Sequence, residues 1–152
     1  MNELIKTLTK RNETISFVES ITGGNLVGSL VKHKNASKVL KESYVLYDSN
    51  KKANFLNFDY NLINKYGVVS KEIAEEMVKG LSKLTLANLC VSTTGYASDN
   101  YPNEVYIGIK YNDKLEIYHH VFNESNTRIK NINETVRLTY NLIKQIVKYP
   151  WK

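Results

Sequence analysis

Cysteine is nearly absent from this 152-residue chain: Cys90 is the only one. A single cysteine makes neither a disulfide framework nor a multi-cysteine zinc site. A domain of this length buries roughly 70% of the surface its unfolded chain exposes, so it folds without such staples. Cys90 lies in the apolar run Leu89-Cys90-Val91 and reads as a buried, inert thiol. With two prolines and seven glycines, the chain shows no low-complexity segment, internal repeat or interdomain linker, and residues 1–152 are read as one domain. Long apolar runs are missing too. Nothing approaches transmembrane length, and the start, Met1 to Lys6, has no apolar h-region or small-residue cleavage site. The expected location is therefore cytoplasmic, with no membrane partner.

What is abundant is positive charge. The formal net charge of +6 favours anionic partners. The charge is spread along the chain rather than gathered in a basic stripe interleaved with aromatics, so a nucleic-acid partner is not expected. A homo-oligomer is compatible with the sequence but not encoded in any pattern.

Hydrophobic periodicity sets out the elements. Asn2 to Lys10 carries Leu4, Ile5 and Leu8 at helical spacing. Thr14 to Val18 is a buried first strand. Asn25 to Lys32 is a helix in which Gly28 implies close packing against the sheet. Ser37 to Leu40 is a short helical turn, and Glu42 to Tyr47 the second strand. Helices follow from Lys51, over Asn61 to Tyr66 with Gly67 as its terminator, and over Lys71 to Leu84 with Ser70 as N-cap. In the last of these, Ile73, Met77, Leu81 and Leu84 share one face. Ala87 to Thr94 is a central strand. A polar loop from Gly95 to Pro102 leads to a hairpin, Glu104 to Tyr111 and Lys114 to Phe122, turned at Asn112-Asp113. Ile129 to Val147 is a long amphipathic helix, with Ile132, Val136, Leu142, Ile143 and Ile146 as core candidates. Early βα alternation followed by a hairpin implies a three-layer α/β/α single domain with a mixed central sheet.

The chemistry-bearing stretch is Glu19-Ser20-Ile21-Thr22-Gly23-Gly24. A strand breaks at paired glycines and restarts as a helix. Such a junction leaves backbone N–H groups that can face an anion or a developing oxyanion; the plain alternative is a tight turn. No Lys-Ser/Thr follows the glycines, which excludes a Walker A loop, and their spacing does not fit the dinucleotide fingerprint. Ser20 has no nearby histidine: His33 is remote, and His119 and His120 sit in a strand on opposite faces. Tyr47 and Lys52 flank the end of the second strand. If the first two strands are parallel neighbours, Ser20, Tyr47 and Lys52 converge at the strand ends, where open α/β sheets bind ligands. A lysine acts as a base when desolvation lowers its pKa; the alternatives are a solvated lysine and a packed aromatic.

Four blocks resemble the CinA C-terminal domain family, the nicotinamide-nucleotide amidases. Val18 to Gly24 resembles its Ala-Glu-Ser-Cys-Thr-Gly-Gly motif. Ser43 to Lys52 is similar to its Gly-aromatic-Val-x-Tyr-Ser-Asn-x-x-Lys segment. Gly67-Val68-Val69-Ser70 resembles its Gly-Ala-Val-Ser, and Val91 to Ala97 its Val-Ser-x-Ser/Thr-Gly-Ile-Ala. The blocks occur in the family's order over nearly the whole chain. The resemblance implies hydrolysis of the carboxamide of nicotinamide mononucleotide (NMN) to nicotinate mononucleotide and ammonia, with no cofactor and no metal. It places the catalytic roles on Ser20 as nucleophile, Lys52 as base, and Tyr47 as a partner in proton transfer. Substrate contacts are implied for Glu19, Thr22, Gly23, Gly24, Ser49, Thr94, Gly95 and Arg128. The chain departs from the pattern in several places. Ile21 replaces cysteine, Ser49 replaces asparagine, and Tyr96 stands where the family has isoleucine. The loop after Ala97 is short and lacks the family's glycines and lysine. The alternative reading is a non-catalytic member that binds a nucleotide or a protein partner.

Overall fold

The computed structural model describes residues 1–98 and 102–150; positions 99–101 of the expected polar loop and 151–152 of the tail lie outside the described residues. The chain runs α1 (Asn2–Arg11), β1 (Ile15–Glu19), α2 (Asn25–Val31), a 3-10 turn (Ala36–Lys38), β2 (Leu40–Val45), α3 (Ser49–Leu56), α4 (Asn61–Tyr66), α5 (Lys71–Thr85), β3 (Leu89–Gly95), β4 (Glu104–Tyr111), β5 (Lys114–Val121) and α6 (Arg128–Lys148). The five strands form one sheet in the order β2-β1-β3-β4-β5. β1 is parallel to both β2 and β3, whereas β3–β4 and β4–β5 are antiparallel. The sheet is thus mixed, as the βα units followed by a hairpin require. No helix among the described residues is long and apolar enough to cross a membrane.

Alternation along the strands divides the core into two layers. Ile15 and Phe17 of β1 and Leu89 and Val91 of β3 face α1, α2 and α6, together with Leu8, Leu26, Leu30 and Ile143. Val18 and Cys90 point the other way, onto Ala53, Ile63, Ile73, Met77 and Leu81 of α3, α4 and α5. At roughly 25 cal/mol per Å² of apolar surface, each of these buried aliphatic side chains contributes about 2 kcal/mol. Burial raises the Cys90 thiol pKa, in keeping with an inert core thiol. Gly108 lets β4 approach α5 closely: a Cβ there would stand 2.9 Å from the Ala74 carbonyl oxygen.

Three expectations need correction. Gly28 has open space around its Cβ direction, so it is not a close-packing glycine. Leu84 is 46% exposed, so the buried face of α5 ends at Leu81, and the last turn meets β3 through Thr85, whose hydroxyl lies 3.8 Å from Cys90 Sγ. On α6, Ile132, Val136 and Leu142 are only partly buried. The face toward the core opens with Asn131, Thr135 and Thr139 before it becomes apolar at Tyr140 and Ile143. The two threonines satisfy their hydroxyls on the carbonyls of Asn131 and Thr135, one turn back (2.9 and 2.8 Å), so the polar stripe carries no unpaired hydroxyl.

Candidate active site

The parallel pairing of β2, β1 and β3 brings three strand ends to one edge of the sheet. β1 delivers Ser20 there, its N–H held by the Thr93 carbonyl at 3.1 Å. Ser20 is buried, and among the described residues its Oγ has no hydrogen-bond partner. β2 ends at Val45, two residues short of the expected end, although Leu46 N–H still donates to the Glu19 carbonyl at 2.9 Å. Tyr47 therefore sits in the turn. Asp48 then caps α3 by accepting from Lys51 N–H at 3.0 Å, and this fixes Lys52 in the first turn of α3.

Lys52 is buried, with 2% of its surface exposed, and its Nζ donates to the Tyr47 carbonyl at 3.3 Å. Among the described residues no carboxylate forms an ion pair with it. Burial lowers its pKa to about 8; the Asp48 charge opposes that shift. At neutral pH roughly a tenth of the amine is then neutral, where an ordinary lysine would offer less than a thousandth.

An open cleft of about 200 Å³ joins these groups, with Ser20, Tyr47, Ser49, Lys52, Thr94, Gly95 and Arg128 among its lining residues. Clefts that engulf a whole ligand run from roughly 300 Å³ upward, so this one suits the reacting end of a larger molecule. Arg128 opens α6 behind the N-cap Thr127. Its guanidinium donates to Tyr47 Oη at 2.7 Å and to Ser98 Oγ at 3.1 Å. The Tyr47 ring is thus tied to Arg128 through its hydroxyl, while Tyr47 meets the lysine through its backbone carbonyl. Thr94 Oγ1 donates to the Val68 carbonyl at 2.8 Å, which stitches the end of β3 to the link before α5. Gly95 must be glycine: a Cβ would lie 2.5 Å from the Glu104 carbonyl oxygen and 2.7 Å from Ile21 Cδ1.

The remaining sequence-derived contacts lie elsewhere. Glu19 is fully buried, and its carboxylate accepts the N–H groups of Gly24 and Leu26 (both 3.0 Å) and Val27 (2.9 Å). It takes the helix-start donors that were expected to face an anion, acting as an internal cap. Gly23 and Gly24 adopt φ of 55° and 95°, the left-handed turn that folds α2 back over Glu19. Thr22 is fully buried, with its hydroxyl 3.0 Å from that of Thr93. None of these four lines the cleft; they build the loop that carries Ser20.

Other cleft residues had no sequence-derived role: Ile21, Val68, Val69, Tyr96 and Ala97. Asn131, fully buried on α6, was also missed. It donates to the Ala97 carbonyl at 2.7 Å and accepts from Asn126 Nδ2 at 2.8 Å. The sequence carries no signal for it, because an asparagine on an amphipathic helix reads as a solvated residue.

Comparison with known proteins shows the family and the fold. Residues 1–147 match the family model of the CinA C-terminal domain. A competence-damage inducible protein of Clostridium botulinum is 37% identical over 139 residues, covering 88% of this chain and 34% of that protein. A protein of the same name from Bacillus subtilis is 36% identical over 135 residues, covering 86% and 32%. The chain spans about a third of the length of the curated relatives it matches. A CinA superfamily protein from Klebsiella pneumoniae shares the fold at a TM-score of 0.88 with 20% identity, covering 98% of each chain. The competence/damage inducible protein CihA from Agrobacterium tumefaciens does so at 0.86 with 24% identity, covering 95% and 92%. The chain belongs to the CinA C-terminal domain family.

Proposed function

We propose that this cleft hydrolyses the carboxamide of NMN, giving nicotinate mononucleotide and ammonia. The observation that carries the reading is the pairing, in one cleft, of an uncommitted Ser20 hydroxyl with a buried Lys52 amine whose pKa falls to about 8. Serine needs a base to become a nucleophile, and a desolvated lysine is one.

Ser20 Oγ attacks the amide carbon, and its proton passes to the neutral Nζ of Lys52. Lys52 returns that proton to the leaving nitrogen as the C–N bond breaks, and ammonia departs. Water then attacks the acyl-serine, again giving its proton to Lys52. The carboxylate product leaves as Ser20 regains a proton. The pyridinium ring of NMN is itself a cation, so its arrival further disfavours charged Lys52 and raises the fraction of free base. Because Glu19 occupies the N–H groups of Gly24, Leu26 and Val27, the oxyanion falls to the N–H of Ile21. That group follows Ser20 and makes no hydrogen bond among the described residues. Arg128 supplies positive charge at the mouth of the cleft for the ribose phosphate. Tyr47 positions the lysine through its carbonyl and Arg128 through its hydroxyl.

Ammonia release from NMN tests this. Wild-type protein turns NMN over, and Ser20→Ala or Lys52→Ala lowers kcat by about a thousandfold or more, as loss of a nucleophile or its base does. Nucleotide binding without turnover in the wild type would favour the non-catalytic alternative.

A further inference from the structure

Tyr96 follows Gly95, the last residue of β3. Its backbone is fixed: Tyr96 N–H donates to the Glu104 carbonyl at 2.8 Å and its carbonyl accepts Glu104 N–H at 3.2 Å, extending the β3–β4 ladder by one residue. Thr94, two residues earlier and so on the same face of the strand, bonds toward Val68 and lines the cleft. Tyr96 lines it as well, partly buried, and its hydroxyl has no partner among the described residues. The ring is therefore not placed there to satisfy a hydrogen bond of the fold. Tyr47 stands in the same cleft with its hydroxyl held by Arg128.

We infer that Tyr96 is a specificity-determining residue: its ring forms an aromatic platform for the cationic pyridinium of the substrate. The inference rests on the proposed reaction and deepens it. The face of a tyrosine ring carries a negative quadrupole, which attracts a flat cation more than a neutral ring of the same shape. An isoleucine offers contact area alone and does not distinguish the two. Tyr96 thus supplies that recognition from the end of β3.

The test is binding, measured by calorimetry in a Ser20→Ala background so that NMN is not consumed. The probes are NMN and its reduced form, whose dihydropyridine ring is neutral. Tyr96→Ile weakens NMN binding by about 3- to 30-fold, the range of a cation–π contact, while the reduced form loses little. Tyr96→Phe keeps the preference for the oxidised ring. The inference is overturned if Tyr96→Ile binds both forms as tightly as its parent, or weakens both equally, since a plain wall of the cleft would do either. A wild-type protein that neither binds nor hydrolyses NMN removes the reaction and this assignment together. One that turns NMN over while Tyr96→Ile keeps its parent's discrimination removes the Tyr96 assignment alone.

Discussion

Lys52 is the residue on which chemistry and stability pull in opposite directions. Its folded pKa of about 8 lies below the ordinary lysine value near 10.5. Below pH 8 both folded and unfolded chains carry the proton, and the full cost of burying the charge is present. Between about 8 and 10.5 the unfolded chain holds more protons than the folded one, so stability rises with pH through that window. The cost at pH 7 is on the order of 3 kcal/mol. Lys52→Met removes it: Tm at pH 7 rises by about 5 °C or more, activity disappears, and the upward slope of stability between pH 8 and 10 flattens. Thermal unfolding of both proteins across that range checks this; parallel curves would show that the lysine is not desolvated. Glu19 works the other way. Its carboxylate satisfies three backbone donors in a fully buried place, and Glu19→Ala leaves all three unpaired. Urea unfolding of that variant is expected to show a loss on the order of 3 kcal/mol, with α2 and the Ser20 loop loosened together.

At the scale of elements, helix α6 does more than cover the sheet. Its first turn presents Arg128 to the cleft, and Asn131 in the next turn holds the carbonyl of Ala97 in the cleft wall. Asn131→Ala removes that donor and leaves Asn126 Nδ2 only its bond to Glu134. The expected result is a stability loss of about 1–3 kcal/mol and a raised KM for NMN with a smaller change in kcat, read by steady-state kinetics. An unchanged KM would mean that α6 positions nothing in the site. Such an element is hard to foresee from sequence. Periodicity located α6 within one residue at either end, because Ile143, Ile146 and Val147 mark a face. It placed Ile132 and Val136 in the core, because an asparagine and two threonines do not look like buried residues. They are buried because two of them bond back to their own helix. β2 was misplaced for a related reason: Leu46 and Tyr47 are as β-prone as the residues before them, and only the Asp48 cap shows where the chain leaves the sheet.

For the whole molecule, the layered fold with its mixed sheet was legible because alternation and turn chemistry agree along most of the chain. The convergence of Ser20, Tyr47 and Lys52 needed one further fact, the parallel pairing of β1 and β2, which no local pattern encodes. The glycine stretch around Ser20 illustrates the limit. Its residues suggested an anion-binding floor, yet the anion that those N–H groups bind is the protein's own Glu19 carboxylate. What the parallel strands β1 and β2 and the start of α6 bring together is a serine, a lysine of lowered pKa and an arginine around a small cleft. Ammonia release from NMN across pH 6 to 9 tests that account most directly. The prediction is turnover that depends on Ser20, with kcat/KM rising about tenfold per pH unit and levelling near the Lys52 pKa of about 8. Absence of turnover in the wild type, or turnover that survives Ser20→Ala, would contradict it.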